Sequence, residues 1–174
     1  MAECRADPKY IFAFFAAGTY YVNTVFISNF MSLWYESFED SGIIEEGESS
    51  DMYQFALLLN CVCAFIYVPI LGVIGDRVPT TWYILISYAG RAFFNCSFVL
   101  LETPESALAP TLIVLVSFFT TGEMISVGKL FYKSIPNKLR GVLVGAFTLS
   151  SYTGKLIYCG TGGWMFDTLG RNAP

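Results

Sequence analysis

Arg91 and Glu123 are the residues on which chemistry could turn. Both stand inside long apolar stretches, residues 82–101 and 108–130. Each lies about 10 residues, or about 15 Å at the helical rise, from the same end of the bundle if the stretches are neighbouring antiparallel helices. They then share a depth. A charge at the centre of a bilayer is costly unless it is paired or hydrated, so an Arg91–Glu123 ion pair is expected. That pair has two readings. It could tie the third and fourth helices together, or it could be a substrate or proton site in which Glu123 titrates and Arg91 or Lys155 holds an anion. Lys155 falls in the far half of the fifth stretch, and Lys129 is near enough to the end of the fourth to snorkel. Asn23 and Asn29, six apart in the first stretch, fit interhelical hydrogen bonds or solute contact.

The elements that must position these residues follow from composition. Of 174 residues, 55% are hydrophobic and 14% are charged, whereas an ordinary soluble domain is about a quarter charged. The apolar residues gather in blocks near or above the roughly 20 residues that span a hydrocarbon core. An all-α integral membrane protein is predicted, a single membrane domain over residues 1–174. Its spans are placed at about 10–35, 52–74, 82–101, 108–130 and 142–165. Tyr20, Tyr21, Trp34 and Tyr35 suit an interfacial belt or a pore lining. The start of the chain has neither an Arg-rich transit pattern nor a cleavable signal, so the first block is read as a retained span.

Several function classes are disfavoured. Net charge is −4 with no basic patch, which argues against nucleic acid. There is no histidine, which removes the commonest metal ligand. Cys61, Cys63, Cys96 and Cys159 lie within apolar blocks, and Cys4 precedes the first. They read as packing residues rather than a metal or redox site. No nucleophile–base pair or phosphate loop stands out, so neither an enzyme nor a cofactor or metal is expected.

The loops give an orientation. Residues 36–51 form a polar loop with seven acids and no Lys or Arg. Arg5, Lys9, Arg77, Lys133, Lys138 and Arg140 fall on the opposite side, leaving only Arg171 with the acids. Lys and Arg stay on the cytoplasmic side or its organellar equivalent. The N-terminus and the turn at residues 75–81, with Asp76 and Arg77, are therefore placed there, and the acidic loop opposite. In the fifth span Gly141 and Gly145 make a small-xxx-small pair. Gly154, Gly160, Gly162 and Gly163 follow, as expected where helix backbones pack closely in lipid.

Gly72, Asp76 and Arg77 carry the spacing of a family signature. So placed, the chain resembles the N-terminal half of the major facilitator superfamily, whose second and third spans are joined by that motif. Pro79 and Thr81 stand where the motif has its second Gly and final base. Residues 135–145, Ile-Pro-Asn-Lys-Leu-Arg-Gly-Val-Leu-Val-Gly, resemble the loop between the family's fourth and fifth spans, and residues 162–170, Gly-Gly-Trp-Met-Phe-Asp-Thr-Leu-Gly, the end of its fifth. Gly122-Glu123 with Pro136 is similar to the proton-coupled peptide transporter branch.

The resemblance implies a six-helix half, here truncated to five spans, and secondary transport of a small solute by alternating access. It also implies that Gly72, Asp76, Arg77 and Arg140 serve as a conformational latch. One half cannot rock alone. The expectation is a half completed by another membrane chain, with the lipid bilayer and such chains as partners. The alternatives are a transport-inactive accessory subunit of a membrane complex, or a piece of a longer protein. A partner chain at Asp76 would indicate assembly in trans, and a local base such as Lys138 or Arg140 a relic of the latch.

Overall fold

The computed structural model describes residues 16, 18–19, 26–101, 103–134 and 140–169. Asn23 and Lys138 lie outside these residues, as does the side chain of Arg140. Among the described residues every regular element is helical. A π-helical turn, Phe26–Phe30, leads into α1, Met31–Asp40. Then come α2, Glu48–Arg77, and α3, Thr80–Ser97, which ends in a 3₁₀ turn, Phe98–Leu100. The chain continues with α4, Leu108–Ser134, and α5, Arg140–Leu169.

Two expected loops prove largely helical. The acidic stretch 36–51 narrows to 41–47, because α1 runs through Asp40 and α2 starts at Glu48. Gly47 supplies a left-handed φ of 89° at the start of α2, and Glu48 and Asp51 sit in its first turn, where carboxylates complement the helix dipole. The turn expected at 75–81 is likewise only Val78 and Pro79. Gly75, Asp76 and Arg77 belong to the last turn of α2. The break falls where proline requires it, since Val78 is forced to an extended φ of −93° and ψ of 140° by the ring that follows.

Two helices, Glu48–Arg77 and Leu108–Lys133, are long and apolar enough to cross a membrane. Among the described residues that is fewer than expected, and most of the first expected span, 10–35, lies outside them. At 18 residues with a buried arginine, α3 is short for a bilayer, and α5 interleaves glycine, serine and threonine with its apolar residues. On α2 the large side chains are bare: Phe65 is 85% exposed, with Phe55, Leu58 and Val73 also exposed. An apolar face of that extent is unfavourable in water and natural against lipid.

α4 is the central element, packed against both α2 and α3, while α1 packs on α2. Its buried residues recur at Ala109, Ile113, Val116, Glu123, Val127 and Phe131, the three- and four-residue spacing of one helix face. Near the end where α3 stops and α4 starts, the core is aromatic. Trp34 meets Tyr35, Phe38 and Phe98 edge to face at centroid distances of 5.0, 4.8 and 5.9 Å. Trp34 and Tyr35 are thus buried core residues rather than a belt or pore lining.

α5 is held by close approaches. A Cβ at Gly154 would run into the backbone of Gly18, so glycine is what lets the two chains touch there. Gly162 similarly faces the Phe30 ring, and Phe131 of α4 lies 4.0 Å, centroid to centroid, from Phe147 of α5. At Gly141 and Gly145, by contrast, no described atom lies within 4 Å of a Cβ. Within this chain, the expected packing role falls to Gly154 and Gly162.

Candidate functional site

The core stripe of α4 carries a carboxylate in its middle. Glu123 is 1% exposed and Arg91 8%. Arg91 occupies the equivalent buried face of α3, in line with Ile84, Ser87 and Phe98. The helices are antiparallel, as Arg91 opposite Glu123 and Phe94 stacked on Phe119 together require. This register places Arg91 Nη1 2.8 Å from Glu123 Oε2.

Small residues make the approach possible. A Cβ at Gly122 would come within 2.8 Å of the Ser87 hydroxyl, and one at Gly90 would enter the Phe119 ring. The Tyr83 hydroxyl donates to the Leu71 carbonyl oxygen at 3.0 Å and pins α3 to α2 below the pair.

Arg91 is held on three sides. Its guanidinium carbon lies 5.1 Å from the centre of the Tyr88 ring, a cation–π arrangement. Its Nη1 also donates to the Thr19 carbonyl oxygen at 3.5 Å. Tyr88 is fixed in turn by a 3.1 Å hydrogen bond from its hydroxyl to the Ala16 carbonyl oxygen, and it lies 2.8 Å from the Thr19 hydroxyl.

Glu123 is less well satisfied. Besides the Arg91 contact, the Tyr88 hydroxyl is its one hydrogen-bonding neighbour among the described residues, and neither is well aligned on a carboxylate oxygen. Buried anions normally gather several donors. Two further buried oxygens, Asn95 Oδ1 on α3 and Thr120 Oγ1 on α4, are without hydrogen-bond partners. Neither was singled out from the sequence. The signal was present, since Thr120 falls on the stripe of Val116 and Glu123, and Asn95 is four residues from Arg91.

The other candidates fall elsewhere. Lys155 on α5 is half-buried and forms no ion pair among the described residues. Asn29 is exposed, its Nδ2 donating to Cys159 Sγ at 3.8 Å. Asp76 pairs with Lys129, 3.4 Å away, while Lys138 and the Arg140 side chain, the local partners expected for it, lie outside the described residues. The Lys129 ammonium also donates to the Gly75 carbonyl oxygen. Arg77 and Asp76 are exposed, and Gly72 has no described atom within 4 Å of a Cβ. No group of three or more His, Cys, Asp or Glu that could hold a metal occurs among the described residues.

No family model matches the chain, and no curated protein or solved structure is similar enough to count as a match. A lone buried carboxylate, one charge partner and unfilled acceptors can bind a proton or a hydrogen-bond donor, and can exchange either for the arginine.

Proposed function

We propose that this chain is one helical bundle of a membrane carrier of the major facilitator type, with about five spans. It would move a small solute by alternating access together with a second bundle. The observation that carries this reading is Glu123: a carboxylate 1% exposed, set between helices, with Arg91 2.8 Å away as its charge partner. A charge held at that depth is costly, and such charges in a membrane bundle commonly line a solute or ion path. The two apolar helices support the membrane setting. The spacing of Gly72, Asp76 and Arg77 supports the family.

The test is uptake into vesicles holding the chain with its completing bundle, across a panel of labelled solutes. Glu123→Gln keeps the shape and removes the charge. Uptake lost in the folded variant supports the proposal, and uptake that persists unchanged overturns it.

One observation favours the second reading, an accessory subunit that no longer transports. Asp76 is already paired within the chain, by Lys129, so the latch position needs no second bundle. Gentle solubilisation of the native membrane separates the readings. A large, stable assembly without uptake favours the subunit, and a small one with uptake favours the carrier.

A further inference from the structure

We propose that the π-helical turn Phe26–Phe30 is a register switch that takes the helical segment before it off Arg91 and Tyr88. The inference goes beyond the carrier reading and holds whether or not the chain transports.

A π turn bonds residue i to i+5, so it carries one residue more than an α turn, and single turns of this kind often interrupt α-helices at functional sites. Here helix lies on both sides. Ala16, Gly18 and Thr19 are helical before the turn, and α1 follows it directly.

Both flanks are anchored, on different partners. After the turn, Met31, Trp34, Tyr35 and Phe38 are buried in the aromatic core. Phe30, the last residue of the turn, meets the Tyr158 ring edge to face at 5.6 Å and lies against Gly162. Before the turn, the Ala16 carbonyl accepts from the Tyr88 hydroxyl at 3.1 Å, and the Thr19 carbonyl from Arg91 Nη1 at 3.5 Å. One residue more or less between the flanks changes their rotation by about 100° and their spacing by about 1.5 Å. The π turn takes up that residue, and both sets of anchors are met at once.

The two anchorages differ in kind. Aromatic rings interlock around α1, and moving them opens voids in a packed core. The earlier flank rests on two backbone carbonyls and on the approach of Gly18 to Gly154, where neither residue has a side chain to interlock. When the turn passes its extra residue toward the start of the chain and becomes α-helical, α1 therefore stays and the earlier flank rotates. The Ala16 and Thr19 carbonyls then leave Tyr88 and Arg91, and Tyr88 also loses the Thr19 hydroxyl, 2.8 Å away in this structure. Arg91 keeps Glu123 Oε2 at 2.8 Å and the Tyr88 ring, so the ion pair survives. The switch changes how many sides hold Arg91.

Nuclear magnetic resonance tests this on the full chain in lipid, with tyrosine labelled with carbon-13 at the carbon bearing the hydroxyl. The shift of that carbon reports the hydrogen bonding of the hydroxyl, and the Tyr88 signal is assigned by its loss in Tyr88→Phe. Saturation transfer in wild type is expected to reveal a second Tyr88 position, populated at about 1–10%. Deletion of Ser28 removes the extra residue and leaves both flanks in register. That variant should fold, keep Tyr88 at the major position and lose the minor one. Deletion of Ser37, which puts Trp34 and Phe38 out of phase, should destroy the core. A single Tyr88 position in wild type overturns the switch, with no variant needed. A minor position that survives deletion of Ser28 places the motion elsewhere and overturns it as well. Unfolding on deletion of Ser28, or equal tolerance of the two deletions, overturns the assignment of a spare residue to the turn.

Discussion

Lys129 on α4 closes the end of α2: its ammonium donates to the Gly75 carbonyl oxygen and lies 3.4 Å from the Asp76 carboxylate. A cation at a helix C-terminus meets both the unfilled carbonyls and the negative end of the dipole. The two contacts differ in weight. Lys129 is 15% exposed and Asp76 is 84% exposed, so water screens the ion pair far more than the carbonyl bond.

Lys129→Met should therefore lower stability by about 1 kcal/mol, mainly through the lost cap. Asp76→Asn should cost less than about 0.5 kcal/mol, as exposed ion pairs do. Denaturant titration in mild detergent, followed by helical circular dichroism, measures both. Equal losses in the two variants would contradict the ranking.

The Arg91–Glu123 pair should be strongly non-additive. Removing one partner leaves the other charge buried, and Arg91→Leu or Glu123→Leu alone should cost about 3–5 kcal/mol. The double replacement should cost much less than the sum of the two. A double-mutant cycle measures the coupling directly. Additive losses would mean that each charge finds another partner.

Gly154 and Gly145 look alike in the sequence and should behave oppositely. Gly154→Ala drives a methyl group into the Gly18 backbone and should destabilise by about 1–3 kcal/mol. Gly145→Ala meets open space and, through helix propensity alone, should be neutral or stabilising by up to about 1 kcal/mol. Thermal unfolding of the two variants side by side decides. Destabilisation by Gly145→Ala would point to a partner surface on that face of α5.

Glu39 gives the acidic end of the bundle a pH dependence. Its carboxylate accepts from the backbone N–H of Gly47 at 3.0 Å and of Ser49 at 3.3 Å, holding α1 against the start of α2. A hydrogen bond from the Ser49 side chain, followed by the Gly47 N–H, holds its pKa below the ordinary 4.5. A depressed carboxylate stabilises the fold above its unfolded pKa and loses that contribution as pH falls through the lowered folded value. Amide exchange at Gly47 and Ser49 should accelerate over that acid window in wild type. In Glu39→Gln it should be fast at all pH values. Unchanged exchange on acidification would show that the carboxylate does not hold the loop.

How far the site could be read in advance depends on the range of the interaction. Helix existence and the depth of Arg91 and Glu123 are properties of apolar run length and helical rise, and both are written along the chain. Their pairing could be expected because few alternatives are tolerable for two charges in apolar surroundings. The helical character of residues 75–77 and 48–51 was hidden by their polarity. There the local determinants were the proline at 79 and the acids at the start of α2, which outweigh charge as helix signals.

The sequence by itself determined that this is a charge-poor chain of long apolar blocks, read as five helical spans, with charges that must find company. Only the tertiary structure decided which company. It chose Lys129 for Asp76, and Gly154 rather than Gly145 for the close approach of α5. The physical reason is that these choices depend on the rotation and offset of one helix against another. Periodicity shows which face of a helix is buried, whereas the depth and partner of each residue on that face are set by packing between helices far apart in the chain.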